Sequence, residues 1–227
     1  MTPFDLEQTD RLLMTTKAVR RRLDLERPVP RELVVECIRL AAYAPNASNA
    51  QEWKWIVVDD PELRRAVGEQ YRTMTEPVVS KILEAKLAAG DEAGARISSS
   101  ILYLAEHMAD VPVIVVPCYD IDAAASRYGG WIGPSAAPSK MESGMYASIY
   151  PAVWSFQLAL RSRGLGSVLT TAHQGDQPAM AEILGIPSTW DQTCLIPVAY
   201  TTGGDFRPSP RGAVEDSIVW NGGNGDE

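Results

Sequence analysis

Three consecutive arginines, Arg20-Arg21-Arg22, make the densest positive charge in a chain with 21 Lys and Arg against 29 Asp and Glu. Guanidinium donors match phosphate oxygens two at a time, so the run suits a phosphate clamp. It also suits a solvated helix end, where cations complement the helix dipole. A second concentration of polar groups is the segment Ala44–Gln51 (APNASNAQ), with Pro45, Asn46, Ser48, Asn49 and Gln51 just before the apolar Trp53–Val58. Amide side chains both donate and accept, which fits the edge of a planar heterocycle, although loop capping is their plainer use. A third candidate is Ser167–Thr171, entered from a Gly-Leu-Gly turn at 164–166. Exposed backbone N–H groups there could face a ring nitrogen; the alternative is a tight turn into a strand. Arg211, and beside it Arg207, lie in a proline-flanked tail that must either pack somewhere or be solvated.

No GxGxxG, no GxxxxGK[ST] and no His/Cys/Asp cluster at metal-ligand spacing is present. His107 stands near a helix end before a strand and reads as structural. His173 follows Thr170-Thr171, but no Ser or Cys partner makes it part of a triad. Cys37 falls on an apolar helix face and Cys118 and Cys194 in strands, which predicts buried, inert thiols. Neither the histidines nor the cysteines form a nucleophilic constellation by their spacing.

The elements that must position these groups follow from hydrophobic periodicity. A helix is predicted over 5–22, an extended stretch over 23–30 closed by Pro28 and Pro30, and a helix over 31–44 ended by Pro45. Strands are predicted at 53–58, at 111–118 (apolar on both faces, hence central), at 167–171 and at 193–199. Asp60-Pro61 is a helix start, with an N-cap acid before proline at the first helical position. Residues 76–108 read as helical with a break at Gly90-Asp91, and 120–145 as a long loop or lid. The helix over 146–162 is apolar almost all round, so it is buried in a core or an interface. A short helix over 176–184 stops at Gly185, and 217–220 is β-like. Strands separated by helices make an α+β or α/β three-layer domain.

At 227 residues the chain has the length of one generous domain, and its 45% apolar and 22% charged composition is globular. A net charge of −8 argues against a nucleic-acid partner, which needs a basic face. No apolar run approaches the ~18 residues of a membrane span. The acidic start MTPFDLEQTDRLL is unlike a signal peptide, so a cytoplasmic location is expected.

In this order and spacing, Lys17–Pro30 (KAVRRRLDLERPVP), Ala44–Val58 (APNASNAQEWKWIVV), Arg163–Thr171 (RGLGSVLTT), Ile183–Pro187 (ILGIP) and Cys194–Asn221, with CLIPVAY and RGAVEDSIVWN, resemble the flavin-dependent nitroreductase family. The resemblance implies an α+β fold, a three-layer α/β/α sandwich with a central mixed sheet. It also implies an intertwined homodimer and FMN at the dimer interface, in a single domain over 1–227 whose stretch 76–145 varies. Electrons would pass from NADH or NADPH to a nitroaromatic, quinone or related small-molecule acceptor by ping-pong turnover; flavin storage and reductive dehalogenation are the alternatives. By the same resemblance, Arg20, Arg21 and Arg22 would hold the phosphate and pyrimidine edge, and Lys17 replaces one of them when the motif is aligned without a gap. Pro45, Asn46, Ser48, Asn49 and Gln51 would reach a flavin, the partner's in the dimer. Ser148, Leu169, Thr170 and Thr171 would complete the flavin surroundings, with Arg211 as the tail's phosphate cation. The chain departs from the pattern at Glu52, where many members have proline, and at Thr170-Thr171, where they have glycine or an acid-glycine pair.

Overall fold

The computed structural model describes residues 4–128 and 138–220. Its sheet is organised by the most apolar segment. Strand β2 (Val113–Asp120) is buried along nearly its whole length and pairs antiparallel with β1 (Trp53–Val58) on one side. On its other side it pairs with β5 (Ile196–Tyr200) and, at its far end, with β4 (Trp190–Gln192). Strand β3 (Leu165–Ser167) closes the opposite edge against β5. These ladders are all antiparallel; the parallel component of the sheet is a single bridge between Ala18 and Ser167.

Side chains alternate across such a sheet, and each face must be covered. Val113, Val115 and Tyr119 of β2 join one core with α2 (Arg31–Ala41) and α6 (Pro138–Ser162), where Ile149, Val153 and Phe156 are buried. Ile114, Val116 and Cys118 join the other core, against α3 (Pro61–Ala88), α4 (Glu92–His107) and α7 (Gln177–Leu184). The result is the expected three-layer α/β/α sandwich of α+β class. Because β2 lies in the middle of the sheet, the stretch 76–145 supplies a central strand as well as peripheral helices.

Several helix ends are written locally. The Asp60 carboxylate accepts from Glu62 N and Leu63 N at 3.1 and 2.9 Å, with Pro61 at the first turn. Gly90 at φ +68° separates α3 from α4, and Asp91 caps the latter through Gly94 N at 2.8 Å. Gly185 at φ +64° ends α7.

Three expectations are corrected. Helix α1 runs only from Leu6 to Thr15, not to residue 22. The Thr15 and Thr16 hydroxyls bond back to Arg11 O and Leu12 O, and Val19 N donates to Ser167 O at 2.9 Å, so sheet pairing claims the chain where the helix would continue. The stretch 120–145 is largely helical: Asp120 caps α5 (Ile121–Tyr128) through Ala123 N, and α6 begins at Pro138. The remainder of that predicted loop, 129–137, lies outside the described residues. Residues 217–220 form no strand; a 3₁₀ turn spans Val214–Ser217 and the apolar Ile218, Val219 and Trp220 stand exposed.

Candidate functional site

Arg20 leaves the turn after the Ala18 bridge and enters a nook between α3 and α4. Its Nη1 reaches Ser100 Oγ at 3.3 Å, and no carboxylate pairs with it among the described residues. Burial pulls this guanidinium below its ordinary pKa, with the Tyr71 hydroxyl partly opposing the shift. Tyr71 is fully buried, and its hydroxyl shares a 3.0 Å hydrogen bond with Thr170 Oγ1. One patch therefore joins an uncompensated cation, a buried phenol and the 169–171 stretch. Sequence periodicity places Tyr71 in a helix face, and nothing in its spacing marks it as a neighbour of Thr170.

The 169–171 stretch has its own donor arithmetic. Thr170 exchanges backbone bonds with Leu195, N to O at 3.0 Å and back at 2.8 Å, so its N–H is already committed. Thr171 N–H donates to no acceptor among the described residues and stands in an exposed position. Gly166 brings this strand close to its neighbours: a Cβ there would lie 2.6 Å from Thr201 Cγ2 and 3.1 Å from Val19 Cγ1.

The loop Pro45–Gln51 holds an unusual backbone. Ser48, Asn49 and Gln51 all adopt positive φ, at 53°, 51° and 54°. Such conformations cost free energy and persist only where surrounding bonds impose them. Here Asn46 Oδ1 accepts from Gln51 N at 3.0 Å, and Gln51 Nε2 donates to Asn49 Oδ1 at 3.2 Å. The buried Ser148 on α6 accepts from Ala47 N at 3.2 Å while donating to Gly144 O at 2.9 Å. Ser148 thus anchors the loop from beneath, leaving Ser48, Asn49 and Gln51 exposed.

The arginine run does not converge. Arg21 turns to α4, bonding Ser99 Oγ at 2.9 Å and lying over the Tyr103 ring. Arg22 donates to Thr202 O at 2.7 Å and to Gly204 O, and its guanidinium stacks 4.0 Å from the Phe206 ring centroid. Both tie the turn to its own surroundings, and only Arg20 reaches the Tyr71–Thr170 patch. Lys17 Nζ instead donates to Arg207 O at 3.2 Å, bringing the tail back to the start of the basic segment. Arg211 is exposed, with its Nη1 on the adjacent Pro210 O.

Glu52 is the departure from the family pattern that the structure explains. Its buried carboxylate accepts from Tyr119 OH at 2.8 Å and from Arg127 Nε at 2.7 Å, while its carbonyl accepts from Asp120 N at 2.8 Å. A proline could offer the carbonyl but neither carboxylate bond, so Glu52 rivets the polar loop to α5. Arg127 is half exposed whereas the Glu52 side chain is only 4% exposed. Arg127→Ala should accordingly lower stability by about 1–2 kcal/mol, less than a fully buried pair would lose. The check is a urea melt: the midpoint falls at unchanged slope.

The remaining reactive groups are silent. Burial pushes the Cys37 thiol up to about 11 and those of Cys118 and Cys194 to about 12. Buried His173, its Nε2 3.2 Å from Gln192 O, is lowered to about 4 by desolvation and stays neutral near pH 7. His107 bonds Asp110 at 3.1 Å beside its helix end. Among the described residues no His, Cys, Asp and Glu groups gather to hold a metal ion, and no helix is long and apolar enough to cross a membrane.

The fold that carries these groups is a three-layer α/β/α sandwich of α+β class. The chain matches the nitroreductase family over residues 13–200, and it belongs to that family. It is 25% identical over 212 residues to an NADH dehydrogenase of Thermus thermophilus, covering 85% of this chain and 87% of that one. It is 24% identical over 192 residues to iodotyrosine deiodinase 1 of Rattus norvegicus, covering 85% of this chain but 62% of the relative. Among solved structures it resembles a nitroreductase-like protein from Bacillus cereus, with a TM-score of 0.64, 18% identity and coverage of 98% and 100% of the two chains. It also resembles an oxidised iodotyrosine deiodinase bound to FMN and 3-iodo-L-tyrosine, with a TM-score of 0.66, 20% identity and coverage of 93% and 97%.

Proposed function

We propose that this protein is an FMN-dependent oxidoreductase that takes electrons from NADH or NADPH and passes them to a nitroaromatic, quinone or related small acceptor. The observation that carries the proposal is that the Arg20 guanidinium, with no carboxylate partner among the described residues, lies within electrostatic reach of Tyr71, whose hydroxyl is bonded to Thr170. A desolvated arginine with no carboxylate partner suits an electron-rich ligand edge. The donor set fits FMN: Arg20 toward the pyrimidine edge, the unpaired Thr171 N–H toward a ring nitrogen, and Arg211 toward the phosphate. Bound FMN would supply the hydride chemistry, and the protein would supply position and electrostatics. In this scheme Arg20 holds negative charge at the ring edge, and Tyr71 fixes Thr170 so that the adjacent N–H stays aimed. Arg21 and Arg22 hold the turn that carries Arg20.

The exposed polar loop, Pro45 to Gln51, is assigned to the flavin of a partner chain in a homodimer. Unpartnered apolar side chains support that assembly, including Tyr43 at 85% and Trp220 at 82% exposure and Trp154 on α6. The whole chain is taken as one flavin-binding domain of a cytoplasmic protein, with no nucleic-acid or membrane partner. Purified protein should be yellow, release one FMN per chain on denaturation and sediment as a dimer. A colourless monomer that takes up no added FMN would overturn the proposal.

A further inference from the structure

A cleft of about 520 Å³ opens where the C-terminal end of α6 meets the segment after β5. Three guanidinium groups line it, those of Arg27, Arg161 and Arg163, in a chain whose net charge is −8. None of the residues assigned above to the flavin lines it.

The charges in the cleft do not cancel. Arg163 is neutralised by Glu36 at 2.6 Å. Asp205, the one acid in the wall, is held at 2.7 Å by Arg11 and lies 4.0 Å from Arg161. Arg27 has no carboxylate within 4.0 Å among the described residues, so Arg161 and Arg27 carry most of the surplus. Arg27 is held in place without an ion pair, and Arg161 shares the single Asp205 carboxylate with Arg11. Arg27 lies 3.4 Å over the Tyr200 ring centroid, and Arg161 packs 4.9 Å from the Phe206 centroid with its Nη2 3.3 Å from Thr15 Oγ1. Aromatic stacking orients a guanidinium while leaving donors in its plane for another acceptor.

The wall between them is open backbone. Gly164, Gly203 and Gly204 line the cleft, and a Cβ at Gly164 or Gly204 would meet nothing within 4 Å. The N–H groups of Gly203 and Gly204 donate to no acceptor among the described residues. Bare glycine N–H groups beside fixed guanidinium groups offer donors to tetrahedral oxygens from two sides.

We propose that this cleft is an anion site, separate from the flavin site, that takes a phosphoryl group. Two surplus positive charges match a phosphate dianion, and the volume leaves room for an organic group attached to it.

The test is calorimetric titration of flavin-saturated protein, so that flavin phosphate contacts are already filled. The probes are inorganic phosphate and ADP, at an ionic strength of about 0.01 M, where screening is weak. One site per chain should saturate. Arg27→Ala should weaken binding roughly tenfold or more, the loss of one charge-assisted contact. Asp205→Asn should tighten it by removing the competing acid. Tighter binding of ADP than of phosphate identifies a nucleotide as the source, and equal binding identifies the free anion. Absence of saturable binding, or identical affinity in Arg27→Ala, overturns the proposal. So does loss of FMN from Arg27→Ala, which would assign the cleft to the flavin itself. If the protein holds no FMN at all, the flavin proposal fails while the same titration still decides the cleft.

Discussion

Mixed anaerobically with NADH or NADPH, the flavin-loaded protein is expected to lose its flavin absorbance, and a quinone or nitroaromatic is expected to restore it. Hydride transfer needs the nicotinamide carbon held about 3.5 Å from the ring nitrogen that accepts it, a proximity effect worth several orders of magnitude in rate. It needs no protein nucleophile. Among the described residues the thiols of Cys37, Cys118 and Cys194 are buried, with pKa values pushed up to about 11 or 12. His173 is likewise a neutral, buried imidazole rather than a general base in a cleft. Donor and acceptor would use one open face in turn, so initial-rate plots should give parallel lines, with each substrate competing against the other. Flavin that stays oxidised with both nicotinamides, yet is reduced by dithionite, would instead favour flavin storage or a different reductant.

Replacing Arg20 and Arg211 together by alanine should strip FMN from an otherwise folded protein. Arg20 is half-buried without a carboxylate partner, and Arg211 is exposed with only a neighbouring carbonyl. Neither guanidinium is committed to an ion pair that must be broken before it binds an anion. Each charge-assisted contact is worth on the order of 1.5–3 kcal/mol, so even the lower values, if additive, weaken binding more than about a hundredfold. The two residues are assigned to opposite ends of one ligand, so the single variants Arg20→Ala and Arg211→Ala are titrated beside the double variant to measure their coupling. Fluorescence titration of apoprotein with FMN measures the loss, and circular dichroism reports whether the fold survives. A double variant that still purifies with one FMN per chain would place the binding cations elsewhere. Arg21→Ala and Arg22→Ala serve as contrasts, because their guanidinium groups are spent on Ser99 and on the carbonyls of Thr202 and Gly204.

What was legible in the chain was whatever short-range chemistry dictates. The apolar run over 111–118 announced a central strand because only a strand buried on both faces tolerates that many β-branched residues, and β2 is that strand. Asp60-Pro61 and Gly185 marked helix ends because a cap and a left-handed turn are properties of a few adjacent residues. The family motifs were legible for the same reason, being runs of neighbouring letters. The Ala-rich 121–128 was misread because propensity there competes with small polar residues, and its helix is secured by the Asp120 cap and by Arg127 reaching back to Glu52.

Tertiary structure alone decided which of the candidate groups meet. Arg20, Arg21 and Arg22 are indistinguishable as letters, yet they part because the chain leaves helix geometry at Thr15 and turns after pairing with Ser167. Glu52 and Arg127 are 75 residues apart in sequence, and Tyr71 and Thr170 are 99 apart. Periodicity says which face of an element is apolar, but the partner across the core is set by how the layers stack. The sequence by itself therefore determined the sandwich and the family. The folded chain determined which arginine stands uncompensated beside the candidate flavin stretch, and which stack on aromatic rings around a second cleft.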